Sequence, residues 1–283
     1  MIKEKRKSKF IITNRKVLLI IFILSAFYNG LIVKNYKIRT DKILDSHSIR
    51  IVLISDLHSH VYGKNQSKII NKIKKQNPDI IALAGDIADD MVPIEGAKLF
   101  LEGIKDIAPV FYVTGNHEIW TGEVDYIKEV FKSFNIIVLE NDYRKVDING
   151  VELVMAGVDD PDIIKYERPQ SNWNEEIYKS FSNIEDVSGY KVLLSHRPEA
   201  VDFYNSLPFD MVLSGHSHGG QVRIPFILNG LFAPNQGFFL KYAGGVYEQE
   251  SYTHIVSRGV SFNPRLPRIF NPPEIVVIDI QGQ

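Results

Sequence analysis

No cysteine occurs among the 283 residues. That absence excludes a disulfide-stapled scaffold, a thiol nucleophile, zinc fingers and iron–sulfur centres. Internal repeats and low-complexity tracts are missing too, so a solenoid or a Pro-rich linker protein is excluded. No charge of one sign dominates, the formal net being −1. That near-balance hides an asymmetry. Residues 1–16 hold seven Lys or Arg and one Glu, which leaves 26 basic against 33 acidic groups, a net of −7, in residues 17–283. An acidic body has no general attraction for duplex DNA, so no nucleic-acid partner is expected. With 45% hydrophobic, 24% charged and 11% aromatic residues, the composition is globular and excludes a disordered, collagen-like or polytopic membrane chain.

One long uncharged run is present, Val17 to Val33. As a helix its 17 residues reach about 26 Å at ~1.5 Å per residue, slightly short of a ~30 Å hydrocarbon core. Lys16 and Lys34 at its ends can snorkel to the headgroups. The competing reading is a cleaved secretory signal. The run is longer than the ~7–15 apolar residues of such a signal, and no A-x-A-like site follows it. The expected organisation is therefore a basic cytoplasmic tail at 1–16, a transmembrane anchor at 17–34, a polar stalk at 35–48 and a folded body at 49–283. Seven cations precede the run and three follow it. The positive-inside rule then makes this a single-pass cell-membrane protein with its body outside the cytoplasm.

From residue 49 onward short apolar runs alternate with amphipathic stretches. The runs fall at 49–54, 79–84, 109–113, 136–139, 151–156, 191–194, 211–213 and 274–280. Between them, residues 67–76 place Ile69, Ile70 and Ile73 on one helical face, and 96–108 and 123–134 behave similarly. Alternation at this spacing predicts an α/β fold with buried strands.

The residues just after these runs carry the chemistry. They are Ser55-Asp56-Leu57-His58, Gly85-Asp86, Gly115-Asn116-His117-Glu118, Ser195-His196 and Ser214-Gly215-His216-Ser217-His218. Ligands in α/β sheets bind beyond the carboxyl ends of strands, so five strands would bring these side chains to one rim. Six of the eight histidines lie in such segments, leaving His47 and His254 elsewhere. Burying carboxylates and imidazoles together without a cation is costly, and a metal site removes that cost. A sulfur-free set of imidazole, carboxylate and amide suits Mn, Fe, Zn, Co or Ni better than an all-oxygen Mg or Ca cage. Seven such side chains exceed what one ion needs, so two divalent ions sharing a carboxylate are expected.

Asp-x-His, Gly-Asp, Gly-Asn-His, a later His and Gly-His-x-His in this order resemble the calcineurin-like metallophosphoesterase superfamily, over about residues 50–280. The resemblance implies a four-layer αββα sandwich, following the N-terminal transmembrane helix. It implies a first metal held by Asp56, His58 and His218, a second held by Asn116, His196 and His216, and Asp86 as the bridge. It also implies an attacking hydroxide between the ions, and a catalytic role for His117 in stabilising developing charge or protonating the leaving oxygen. The apolar N-terminus and the stretch from His216 to Val222 resemble the membrane-associated bacterial branch. That branch includes manganese-dependent phosphodiesterases and hydrolases of the pyrophosphate in a UDP-diacylglucosamine lipid precursor. Manganese and a lipid-linked or envelope phosphoester follow as the expected cofactor and partner.

Several residues carry two readings. Glu118 stands where many family members have Asp, and either orients His117 or lies on the surface. His60 lines the cleft or sits in a solvated loop. Asp89 and Asp90 read as a helix or turn cap. Arg197 clamps a phosphate or starts a helix. Residues 222–242, with Phe226, Phe232, Phe238 and Phe239, are a buried loop or an exposed apolar lip facing lipid. Two other functions stay open: a broad-specificity phosphodiesterase or phosphatase acting on soluble substrates, and a non-catalytic metal-containing protein that binds an envelope polymer.

Overall fold

The structure is a computed structural model, and it describes residues 16–17, 20–233, 235–261 and 266–283. Its frame is two six-stranded sheets. In the first the strand order is β1 (Ile32–Thr40), β14 (Glu274–Gly282), β2 (Ser48–Ile54), β3 (Ile80–Ala84), β4 (Val110–Val113) and β5 (Ile137–Val138). In the second it is β12 (Gly245–Glu248), β13 (Thr253–Val256), β9 (Met211–Ser214), β8 (Tyr190–Leu194), β7 (Val151–Gly157) and β6 (Asp142–Ile148). Strands β2 to β5 run parallel, as do β7, β8 and β9. Their carboxyl ends therefore share a rim in each sheet.

Period-two burial stacks the layers. Ile51 and Leu53 of β2, Phe111 and Val113 of β4, and Val192 and Leu194 of β8 meet in one central cluster between the sheets. Their neighbours Val52, Ile54 and Tyr112 face the other way, onto Ile69, Ile73, Phe100, Leu101 and Phe131. Those residues belong to the helices Ser67–Lys74, Glu95–Ile104 and Val124–Ser133. On the far side, Val154, Leu193 and Val212 pack on Ile177 and Tyr204, from the helices Trp173–Ser180 and Val201–Tyr204. The result is a mixed α/β sandwich with helices outside both sheets, and the central strands β3, β4 and β8 are buried on two faces because they lie between layers.

The N-terminal segment departs from expectation. Residues 20–26 are helical, the chain turns at Phe27, and β1 begins at Ile32. Among the described residues no helix is long and apolar enough to cross a membrane. The first part of the expected stalk, residues 35–40, lies in β1, which pairs in parallel with β14 along all nine positions from Ile32–Glu274 to Thr40–Gly282. Run length alone overlooked the Asn29-Gly30 break, a turn signal that separates the helix from the strand. Part of the anticipated anchor, Ile32 to Lys34, thus belongs to the sandwich. Residues 1–15, most of the basic tail, and residues 18–19 lie outside the described residues.

Candidate metal centre

Each predicted ligand follows a strand end, and the backbone there is forced into close quarters. Asp56, His58, Asp86, His216 and His218 all adopt positive φ, between 46° and 68°, a conformation that L residues take up only under local constraint. Gly115 is required beside them, since a Cβ there would lie 2.2 Å from Asp86 Oδ1. Gly85, at φ +80°, would bring a Cβ to 2.5 Å from His196 Nδ1.

Three groups of candidate ligand atoms result, and the predicted ligands make up two of them, the third being His58, Asp89 and His117. In the first, His58 Nε2 faces His218 Nε2 at 3.2 Å, and His218 Nε2 lies 3.4 Å from Asp56 Oδ1. In the second, His196 Nε2 lies 3.1 Å from Asp86 Oδ2 and 3.2 Å from His216 Nδ1. Asp86 Oδ2 is also 3.7 Å from His58 Nε2, so one carboxylate reaches both groups.

The donor chemistry fits cations. His196 Nδ1–H donates to the Ala84 carbonyl at 2.8 Å, and His58 Nδ1–H to Asp89 Oδ2 at 2.8 Å. Those bonds fix the tautomers and leave both Nε2 atoms as lone pairs aimed inward. Asp56 Oδ2 and Asn116 Oδ1 are buried with no hydrogen-bond partner. Other buried oxygens lack partners too, Ser55 Oγ and Asn271 Oδ1 among them, but these two belong to predicted ligands. Electrostatics agree. Burial disfavours a charged His196, yet Asp86 and Asp56 outweigh it and lift that imidazole to about 10. Burial, with His196 and His58 respectively beside them, pushes His216 and His218 well below the ordinary imidazole range. The buried carboxylates of Asp56 and Asp86 at the centre favour a cation there.

Residues 49–220 match the Calcineurin-like phosphoesterase family. The chain belongs to that family. The family is one of phosphoesterases. It is 30% identical over 244 residues to an uncharacterized metallophosphoesterase of Campylobacter jejuni, covering 83% of this chain and 60% of that protein. A putative metallophosphoesterase of Caenorhabditis elegans is 31% identical, at 83% and 48% coverage. The chain thus spans about half to three-fifths of these two relatives' length. An uncharacterized metallophosphoesterase of Aquifex aeolicus is 29% identical, and there the coverage is 89% and 92%. Among solved structures, a 5'-nucleotidase precursor from Thermus thermophilus shares the fold at TM-score 0.53 and 14% identity, covering 83% of this chain and 54% of that one.

Around the calcineurin-like rim the structure resolves several double readings. Glu118 is fully buried and lies neither on the surface nor against the His117 ring. Its carboxylate accepts four backbone N–H bonds, from Asp86, Ile87, Ala88 and Gly115, at 2.6–2.9 Å. It therefore ties the loop after β3 to the loop after β4. Burial and the neighbouring Asp86 raise it to about 7. The carboxylate that orients His117 is Asp90, whose Oδ1 lies 2.6 Å from His117 Nδ1. Asp89 does cap a turn, through the N–H groups of Met91 and Val92, but its other oxygen holds His58.

Arg197 is buried, and its fork is engaged with Asp160, at 2.6 and 2.9 Å. It is not a free phosphate clamp. It still reaches the rim, with Nη1 3.2 Å from His216 Nε2. His60 packs edge-on against Tyr62 at 4.8 Å and joins neither ligand group. His254 is buried against Ser214. Asp89, Asp90 and Arg268, whose Nη2 lies 3.4 Å from His218 Nδ1, carry site contacts that the motifs did not signal.

Proposed function

We propose that the chain hydrolyses a phosphodiester or pyrophosphate bond with two divalent ions. One is held by Asp56, His58 and His218, the other by Asn116, His196 and His216, and Asp86 is shared. The observation that carries this reading is the position of Asp86 Oδ2 between His58 and His196 Nε2. When bound, such ions stabilise charge on phosphoryl oxygens and acidify attacking water. Manganese is the proposed ion, from the resemblance and the mixed nitrogen and oxygen donors.

The chain's own residues supply the rest. His117 stands at the rim with its ring 4.4 Å from that of His58. Asp90, and Asp89 at 3.4 Å, hold its Nδ1–H and stabilise the imidazolium, which leaves Nε2 to deliver a proton to the leaving oxygen. Proton donation of this kind contributes ~10²–10⁴-fold in rate. Glu118 keeps the backbone beneath Asp86 in place. The substrate we infer is lipid-linked or part of the envelope, as in the UDP-diacylglucosamine pyrophosphatase-like branch. Location at the cell membrane belongs to the same proposal and rests on the basic residues that precede the apolar stretch 17–33.

The test uses the full chain, because a truncation at residue 35 would remove the start of β1. The metal-stripped protein receives Mn²⁺ and is offered a chromogenic phosphodiester, its monoester and a detergent-dispersed lipid pyrophosphate, with Asp86→Ala as control. Metal-dependent turnover highest on the lipid pyrophosphate supports the reading. Equal or faster turnover of soluble esters replaces it with a broad-specificity phosphoesterase. No turnover with two bound ions leaves the non-catalytic binding protein.

A further inference from the structure

The segment after the last ligand motif, residues 222–242, divides its apolar side chains between two environments. Ala233 and Leu240 form a small buried cluster with Ala243 just beyond the segment. Phe226, Ile227, Phe238 and Phe239 point outward and are 108%, 83%, 68% and 72% exposed. Phe226 and Phe239 hold φ of 67° and 60°, a region that bulky side chains rarely enter. Their rings stand in solvent on a backbone that local preference opposes.

A second exposed apolar stretch adjoins this lip. Ile20, Ile21, Phe22, Ile23, Leu24 and Phe27 are all about half exposed or more. The Phe22 ring packs 5.0 Å from that of Phe270, and Phe270 N–H donates to the Ala26 carbonyl at 2.7 Å. The adjacent Ile269 bridges to Val222 and accepts from Arg223 N–H at 2.9 Å. Segments some two hundred residues apart thereby share one face. At its root, the Asn235 side chain lies 3.2 Å from His216 Nε2, so the lip touches the metal rim.

Charge indicates what covers this face. The charged residues of the lip segment 222–242 are Arg223 and Lys241, both basic. Seven Lys or Arg in residues 1–16 immediately precede the N-terminal helix in sequence, whereas residues 17–283 are net negative. Apolar aromatics beside clustered cations bind an anionic bilayer through insertion plus headgroup attraction.

We propose that this face docks on an anionic lipid bilayer. Phe226, Ile227, Phe238 and Phe239 insert, together with residues 20–27, and the metal rim is held at the level of the lipid phosphates. The proposal rests on the phosphoester reading for what is cleaved there, not for the docking itself.

Because the chain has no cysteine, Phe226→Cys can carry a single environment-sensitive dye on the full-length protein. Tyr126→Cys, exposed on the helix Val124–Ser133, is the control. Both are mixed with phosphatidylcholine vesicles, with and without phosphatidylglycerol. A blue shift at position 226, larger with phosphatidylglycerol and absent at 126, is the expected result. In parallel, serine at all four lip positions should weaken vesicle binding at least ~10-fold, with thermal unfolding as the check on folding. No shift at 226, an equal shift at 126, or vesicle binding unaffected by the four serines overturns the proposal. So does a shift produced by protein concentration alone, which assigns the face to a second copy. Loss of chromogenic-diester turnover with docking intact contradicts the phosphoesterase reading alone.

Discussion

The metal rim and the lip meet at Asn235 and His216, yet they are built on opposite terms. At the rim, side chains are buried and nearly every polar atom is spoken for, by Ala84, Asp89, Asp90 or the backbone N–H groups on Glu118. Among the atoms without a partner, Asp56 Oδ2 and Asn116 Oδ1 are where cations are expected. In the lip the apolar groups lack partners instead, with Phe226 and Ile227 standing in solvent. Under the two proposals an ion takes up the orphan oxygens in one region and a lipid surface covers the exposed rings in the other.

The contrast can be broken hardest at Asp86. Asp86→Ala should lower kcat on the order of 10³-fold and reduce bound manganese, read by steady-state kinetics with elemental analysis. Asp90→Asn separates orientation from metal binding. The loss expected is ~10²-fold in kcat, with metal content unchanged and the effect smaller for esters with a good leaving group. A parallel loss of metal would reassign Asp90 to the ligand framework.

How much of this was legible in sequence follows the same divide. The ligands were readable because each lies within a few residues of a strand end, so period-two burial and turn residues place it without knowledge of the other elements. The pairing of Asp90 with His117, and of Glu118 with the Asp86 loop, joins residues about thirty apart across two strands, and no local pattern encodes it. The first strand was hidden because Ile32 and Val33 continue the apolar run of the N-terminal helix. The edge strand β6, DYRKVDI, alternates too weakly in polarity to stand out. Exposure of the lip is a tertiary property, since the same phenylalanines would read identically in a core.

Two smaller effects sharpen the comparison. His254, fully buried on β13 beside β9, is pushed down to about 3 by burial. The folded state holds it neutral while the unfolded chain binds a proton below about 6.5, so stability falls as pH drops from there toward 3. Between pH 6.5 and 5 the loss is roughly 2 kcal/mol, and His254→Asn should flatten that slope in denaturant titrations. Serine at Phe226 and Ile227 should change unfolding free energy by less than about 0.5 kcal/mol, because those side chains contact little. A drop of several kcal/mol would mean that the lip is part of the core.

The most direct test of the account is electron paramagnetic resonance on the full chain reconstituted with Mn²⁺. Two exchange-coupled ions per chain, giving way to an isolated-ion spectrum in Asp86→Ala, is the predicted result. A single uncoupled manganese in the unsubstituted protein, at saturating metal, would contradict it.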